Sequence, residues 1–190
     1  MKPGPTTGAA YKDADEIRAL LIASTYELIK SGLPVQSLTA RLVTQTAGLD
    51  KMYVNRFFKN LDELLYAVLE EIFTKQTQTF VISKAFDLEK LSPVIVNAFH
   101  IYGYLAGVPV FQEKLSVLAE VLLNALSQQL EDTFGLEKSV AVRESRIALI
   151  MMVGFLSVGH LMPLRLGDIS RWAEWREASM RGLGGISNGT

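Results

Sequence analysis

The 190-residue chain contains no cysteine. That excludes disulfides, a thiol nucleophile and any cysteine-ligated metal centre. Histidine is almost as scarce: His100 and His160 are the only two, and two isolated histidines make a poor metal site. No Ser/His/Asp order, glycine-rich phosphate loop or His-Glu-x-x-His spacing is present. The expectation is a protein that is not an enzyme and carries neither metal nor cofactor. Prolines are few, with Pro34 between the first two predicted helices, Pro93 and Pro109 near helix starts and Pro163 at a helix end. Strand-like alternation is also missing, which points to an all-α chain. The N-terminus, MKPGP, lacks the apolar run of a secretory signal, so a cytoplasmic protein is the simplest reading.

Net positive charge is lacking too. A formal charge of −1 does not suit a protein that coats nucleic acid over its whole surface. The distribution is asymmetric, however. Residues 1–60 carry eight Lys/Arg against five Asp/Glu, and residues 61–190 carry eleven against fifteen. A mildly basic head on an acidic body fits local contact with phosphate. Residues 147–164, IALIMMVGFLSVGHLMPL, contain no Asp, Glu, Lys or Arg. Their length approaches that of a membrane span. Gly154, Ser157, Gly159, His160 and Pro163 interrupt the run, and no second span accompanies it. The segment is therefore read as a helix buried in a protein core and an oligomer interface, with no membrane partner.

The densest pattern in the chain is Thr39 to Leu65, TARLVTQTAGLDKMYVNRFFKNLDELL. Thr39 is suited to cap a short helix. Val43 and Ala47 fall four apart on one face of it. Gly48 is the stop, Leu49 the apolar plug of the turn and Asp50 the N-cap of a second short helix. In that second helix Val54, Phe57 and Phe58 face inward, and Lys51, Met52, Tyr53, Asn55 and Arg56 occupy the rest of the cylinder. Asn60 caps a longer helix, with Glu63 three residues on in a capping-box-like arrangement. Two short helices joined by a glycine turn are the layout of a helix-turn-helix, in which the second helix enters the major groove of DNA. The side chains suit that chemistry. Arg56 can pair with guanine or phosphate and Lys51 with phosphate, Tyr53 can meet a phosphate or a thymine methyl, and Asn55 can bond adenine. The plainer alternative is a three-helix core with a polar outer face.

At these residues the chain resembles the TetR family of transcriptional regulators. Ile17 to Ile29 would supply the family's first helix, with Ile17, Leu20, Leu21, Ser24, Tyr26 and Leu28 around its buried stripe. Thr39, Ala47-Gly48, Phe57-Phe58-Lys59 and Glu63-Leu64-Leu65 follow in matching order and spacing. The match covers roughly residues 15 to 72. Departures occur at Thr44, where the family usually has alanine, at Asp50 for serine, at Met52 and Tyr53 for a small residue and threonine, at Asn55 for tyrosine and at Leu61 for lysine. Residues 1–14, rich in Pro, Gly, Thr and Ala, read as a disordered arm. The resemblance implies two further parts, a helix-turn-helix DNA-binding domain over 15–60 and a helical ligand-binding and dimerisation domain over 61–190. It implies DNA contacts at Thr39, Arg41, Lys51, Met52, Tyr53, Asn55, Arg56 and Lys59.

Helices are expected near 15–31, 39–47, 50–57, 60–82, 92–106, 109–133, 137–164 and 168–181, with Gly135, Gly167 and Gly182 as stops. The last two would form a four-helix dimer bundle by resemblance. Gly154, Ser157, Val158, Leu161, Trp172 and Trp175 are its expected interface. Phe99, His100, Tyr102, Tyr104, Phe111, Met151, Met152 and Phe155 could line a pocket for a small hydrophobic or aromatic effector, although an aromatic and methionine stripe at helical spacing also suits a plain core. The function expected is a ligand-responsive regulator, a repressor, that binds a palindromic operator as a homodimer and is released by its effector. The alternative is a TetR-like sensor or partner-binding module whose hold on DNA has weakened.

Overall fold

The computed structural model of the chain describes residues 13–76, 93–158, 178 and 181. Asp13 starts the first helix, α1 (Ala14–Lys30). Its carboxylate and that of Glu16 satisfy each other's backbone N–H groups in a capping box. Asp15 and Glu16 in the first turn and Lys30 in the last suit the helix dipole. Ile17, Leu21, Ser24, Thr25 and Ile29 form the buried stripe. The end is equally defined. Gly32, at φ +86°, lets its own N–H reach Ile29 and the N–H of Leu33 reach Leu28, which is a Schellman motif.

Three further helices follow: α2 (Ala40–Thr46), α3 (Met52–Phe58) and α4 (Leu61–Gln76). A 3₁₀ turn at Val35–Ser37 separates α1 from α2. Beyond residues 77–92, which lie outside the described residues, the chain continues through α5 (Pro93–Ala106), a 3₁₀ turn at Pro109–Phe111, α6 (Gln112–Phe134) and α7 (Lys138–Val158). The described residues are all-helical, with no strand among them. Pro109 opens the 3₁₀ turn rather than the long helix itself, and α6 starts at Gln112. Gly135, left-handed at φ +62°, stops α6 as its position suggests. Of the helix expected at 168–181 only Ala178 and Arg181 are described, both helical, and the rest lies outside the described residues. The arm expected over 1–14 lies outside them up to residue 12, whereas Asp13 and Ala14 are the cap and first residue of α1, because the capping box orders them.

Packing joins these helices into one continuous hydrophobic cluster. Leu21, Ile29, Val43, Val54 and Leu64 are fully enclosed at the α1–α4 end. Phe99, Ile101, Leu105, Phe111, Leu115 and Leu122 fill the other end. α4 belongs to both, because it packs on α1 and α3 and also on α5 and α6. Removing a fully enclosed leucine such as Leu69 would cost about 2–5 kcal/mol, through the forfeited transfer energy and the cavity left behind. Among the described residues no single helix is long and apolar enough to cross a membrane.

Asn97 ties the two ends polarly. Although buried, its side-chain amide donates to the carbonyls of Ile29 at 3.2 Å and Leu33 at 3.3 Å, where α1 ends. Carbonyls at a helix end have no partner one full turn ahead, so a residue of α5 adds to the cap of a helix end 68 residues earlier in the chain.

Candidate nucleic-acid interface

The turn between α2 and α3 is built as its sequence suggests. Thr39 accepts the N–H of Leu42 at 3.1 Å and caps α2. Gly48 adopts φ +65°, its N–H meets Gln45, and the N–H of Leu49 closes onto Thr44 at 2.8 Å. This is a second Schellman motif, with Leu49 packed against the core as its apolar contact. Thr44 is buried, and its hydroxyl donates to the carbonyls of Ala40 and Arg41, so the extra oxygen relative to alanine is satisfied within α2.

Asp50 differs in detail from the expectation. Its carboxylate does accept the N–H of Met52 at 2.9 Å, but Lys51 already has helical angles and is the boundary residue of α3. The capping box at Asn60 is likewise half made. Asn60 accepts the N–H of Glu63 at 2.9 Å, whereas the Glu63 carboxylate turns to Lys114 on α6 at 3.1 Å. Lys114 also lies over the rings of Tyr66 and Phe111. Beside it the hydroxyl of Tyr104 donates to Asp62 at 3.1 Å. That hydrogen bond, with burial and the Asp62 charge adding to it, raises the Tyr104 pKa. The start of α4 is thus anchored to α5 and α6 by two polar contacts.

α3 has one buried and one exposed face. Val54 and Phe58 are buried, while Lys51, Met52, Asn55 and Arg56 are exposed, Met52 at 64%. Tyr53 is half-buried and stacks on Phe57, with ring centroids 5.8 Å apart and planes 9° from parallel. The Arg56 guanidinium lies over the Phe57 ring at 5.6 Å. Arg41 and Thr39 are exposed on and before α2. Lys59 is exposed after α3, and its φ of +65° is the only positive value among described residues other than glycine. The N–H of Asn60 reaches back to the Phe58 carbonyl at 2.7 Å, so Lys59 sits at the centre of a γ-turn, an uncommon and strained form for a residue with a side chain. The eight expected DNA contacts are therefore one exposed threonine cap, four exposed cations (Arg41, Lys51, Arg56 and Lys59), exposed Met52 and Asn55, and half-buried Tyr53. Leu61, in place of a cation, is half-buried and packs on the core.

Arg18 was not legible as part of this region. From the second turn of α1 its guanidinium donates to the Phe57 carbonyl at 2.6 Å and lies over the Phe58 ring at 4.4 Å. No local pattern connects two residues 39 apart in sequence.

The expected effector residues are dispersed in role. Phe99 and Phe111 are buried in the core, where Phe99 meets Phe73 and Phe111 stacks on Tyr66. Tyr102 is half-buried against Phe73, and burial raises its pKa. His100 and Met151 are half-buried, and Tyr104 is 53% exposed. Met152 and Phe155 lie on α7, their side chains outside the described set. A groove of about 280 Å³ does exist among the described residues, but it runs between α1 and α4, lined by Ala23, Tyr26, Glu27, Glu71, Ile72 and Lys75. It shares no residue with the expected lining. No group of three or more His, Asp or Glu among the described residues stands close enough to hold a metal ion.

Of the expected interface residues, Gly154 is half-buried with nothing within 4 Å of where a Cβ would stand. Ile147 and Ile150 share its face of α7, at i−7 and i−4, and are exposed, Ile150 at 69%. Ser157 and Val158 continue the helix, with side chains outside the described set, as are Leu161, Trp172 and Trp175 altogether.

No family model matches the chain. No curated protein matches it either. Among solved structures, the TetR family repressor AlkX from Dietzia sp. strain DQ12-45-1b, implicated in biodegradation of n-alkanes, is similar at a TM-score of 0.49 and 16% identity, with 93% of this chain and 97% of that one covered.

Proposed function

We propose that this chain is a transcriptional regulator that reads double-stranded DNA through α3, works as a homodimer and acts by binding rather than by turnover. The observation that carries the reading is the α2–α3 unit: a Schellman turn at Gly48 holding a short helix whose outer face offers Lys51, Asn55 and Arg56 to a groove. Arg41 and Lys59 flank that face as phosphate partners. A homodimer would set two such helices about one DNA turn apart, or a multiple of it, on a palindromic operator. A repressor released by a small hydrophobic or aromatic effector is the form proposed, acting in the cytoplasm. The effector would favour a body state that moves the heads apart and would lower operator affinity by the difference in its binding to the two states.

Fluorescence anisotropy with the DNA upstream of the chain's own gene, across a salt series and beside a scrambled duplex, tests this. Selective binding that weakens steeply with salt is expected. Equal, feeble binding to both duplexes would overturn it.

A second reading, a sensor of the same shape with a weakened grip on DNA, is favoured by Leu61 and Asp50. Leu61 is spent on packing, and Asp50 sets an exposed carboxylate at the groove end of α3. On this reading Asn55→Tyr with Leu61→Lys would create DNA binding that the parent lacks.

A further inference from the structure

We propose that Arg18 is the residue that positions α3 for reading, and so sets DNA selectivity without touching DNA. The inference rests on the proposed function of α3 as the reading helix. With seven residues, Met52–Phe58, α3 spans about 10 Å and is too short to hold a helical form or a fixed direction alone. Its last carbonyls have no partner one turn ahead. Two donors meet them here. The Asn60 N–H takes the Phe58 carbonyl through the γ-turn at Lys59, and the Arg18 guanidinium takes the Phe57 carbonyl at 2.6 Å.

Arg18 does more than fill a valence. Its cation stands at the negative end of the α3 dipole. Its guanidinium carbon lies over the buried Phe58 ring, 4.4 Å from the ring centre, and its N–H points at the backbone of the neighbouring residue. A cation held over a ring and a directed donor together constrain both tilt and rotation more than a lysine's point charge would. The same end of α3 carries Phe57, the ring on which Tyr53 stacks and over which Arg56 lies. The order of contact therefore runs from α1, through Arg18, to the Phe57–Phe58 backbone and on to two side chains of the reading face. A small rotation at this end moves Asn55 and Arg56 relative to base edges, where bidentate bonding tolerates little error. Phosphate contacts from Lys51 or Arg41 are far less sensitive to it.

The test compares the parent with Arg18→Met, which keeps the stem but removes charge and donor, and with Arg18→Lys. The full-length protein is used throughout. Two readouts are taken: the affinity ratio between operator and scrambled duplex over a salt series, and amide hydrogen exchange of residues 52–59 without DNA. Expected for Arg18→Met is a loss of about ten-fold in the ratio with an unchanged salt slope, alongside faster exchange at Phe57 to Lys59 and an intact melting transition. Arg18→Lys should recover only part of the ratio. A ratio within two-fold of the parent overturns the proposal, as does a slope reduced by about one, which would make Arg18 a direct phosphate contact. If the parent itself fails to select the operator, the reading of α3 as a DNA helix falls. The exchange data then decide the positioning role alone, and unchanged exchange overturns it.

Discussion

Lys51 at the boundary of α3 and Arg56 within it are exposed little more than one turn apart, while Val54 and Phe58 between and beyond them are buried. The division of labour along seven residues follows from the helical period alone. Truncating Lys51 or Arg56 to alanine should leave stability within about 0.5 kcal/mol, since neither fills the core. Where the truncated cation pairs with a phosphate, the slope of log affinity against log salt should fall by about 0.9, measured by anisotropy. An Arg56→Ala protein that loses operator selectivity at constant slope would instead show Arg56 on a base edge. Tyr104 supplies a pH dependence at the same scale. Its hydroxyl donates to Asp62 only while protonated, and its pKa is raised above the ordinary 10.0. The contribution of this bond to stability is therefore complete below pH 10 and disappears as pH rises through the higher folded value. Urea unfolding of Tyr104→Phe should show a shallower loss of stability above pH 10 than the parent, and superimposable alkaline limbs would show that the bond contributes nothing.

Elements succeed or fail by their ends. α1 and α2 both stop on a glycine in the left-handed region, whereas α3 stops on Lys59 in a γ-turn. A Cβ at Gly48 would meet no atom within 4 Å, so the cost of a side chain there is conformational rather than steric. Gly48→Ala is expected to cost about 1–2 kcal/mol, read as a shift in urea midpoint at constant m. Because this turn sets the angle between α2 and α3, operator binding should weaken more than stability does. Equal binding by Gly48→Ala and parent would detach the turn's geometry from reading.

Taken whole, the molecule joins its α1–α4 end to α5 and α6 through α4 and three polar links: Asn97 to the end of α1, Tyr104 to Asp62 and Lys114 to Glu63. Two of these grip the first turn of α4, immediately after α3, so a change in α5 or α6 would be felt beside the proposed reading helix. The proposed homodimer belongs to this scale as well. Ile147, Ile150 and Gly154 lie on one face of α7, and Ile150 is 69% exposed. Ile150→Glu should leave the fold intact and convert a dimer to a monomer in light scattering after size exclusion, with operator affinity falling alongside. A variant that remains dimeric would move the interface elsewhere.

What the sequence by itself determined is everything carried by neighbours within about a turn. The all-helical class, the caps at Thr39 and Asn60, the left-handed Gly48 and the inward set of α3 depend on spacings of two to four residues. Side-chain period and backbone capping make such spacings visible without a partner. What lies inside the core but away from a motif was not legible. Phe99 and Phe111 carry the same aromatic chemistry whether they line a pocket or fill a core, and only packing assigns them to the latter surroundings. Arg18, Asn97, Lys114 and Glu63 were decided by tertiary structure alone. Their partners stand 39, 68 and 51 residues away, and a charged or amide side chain looks like any solvated surface residue until the fold brings a carbonyl, a ring or a carboxylate to it.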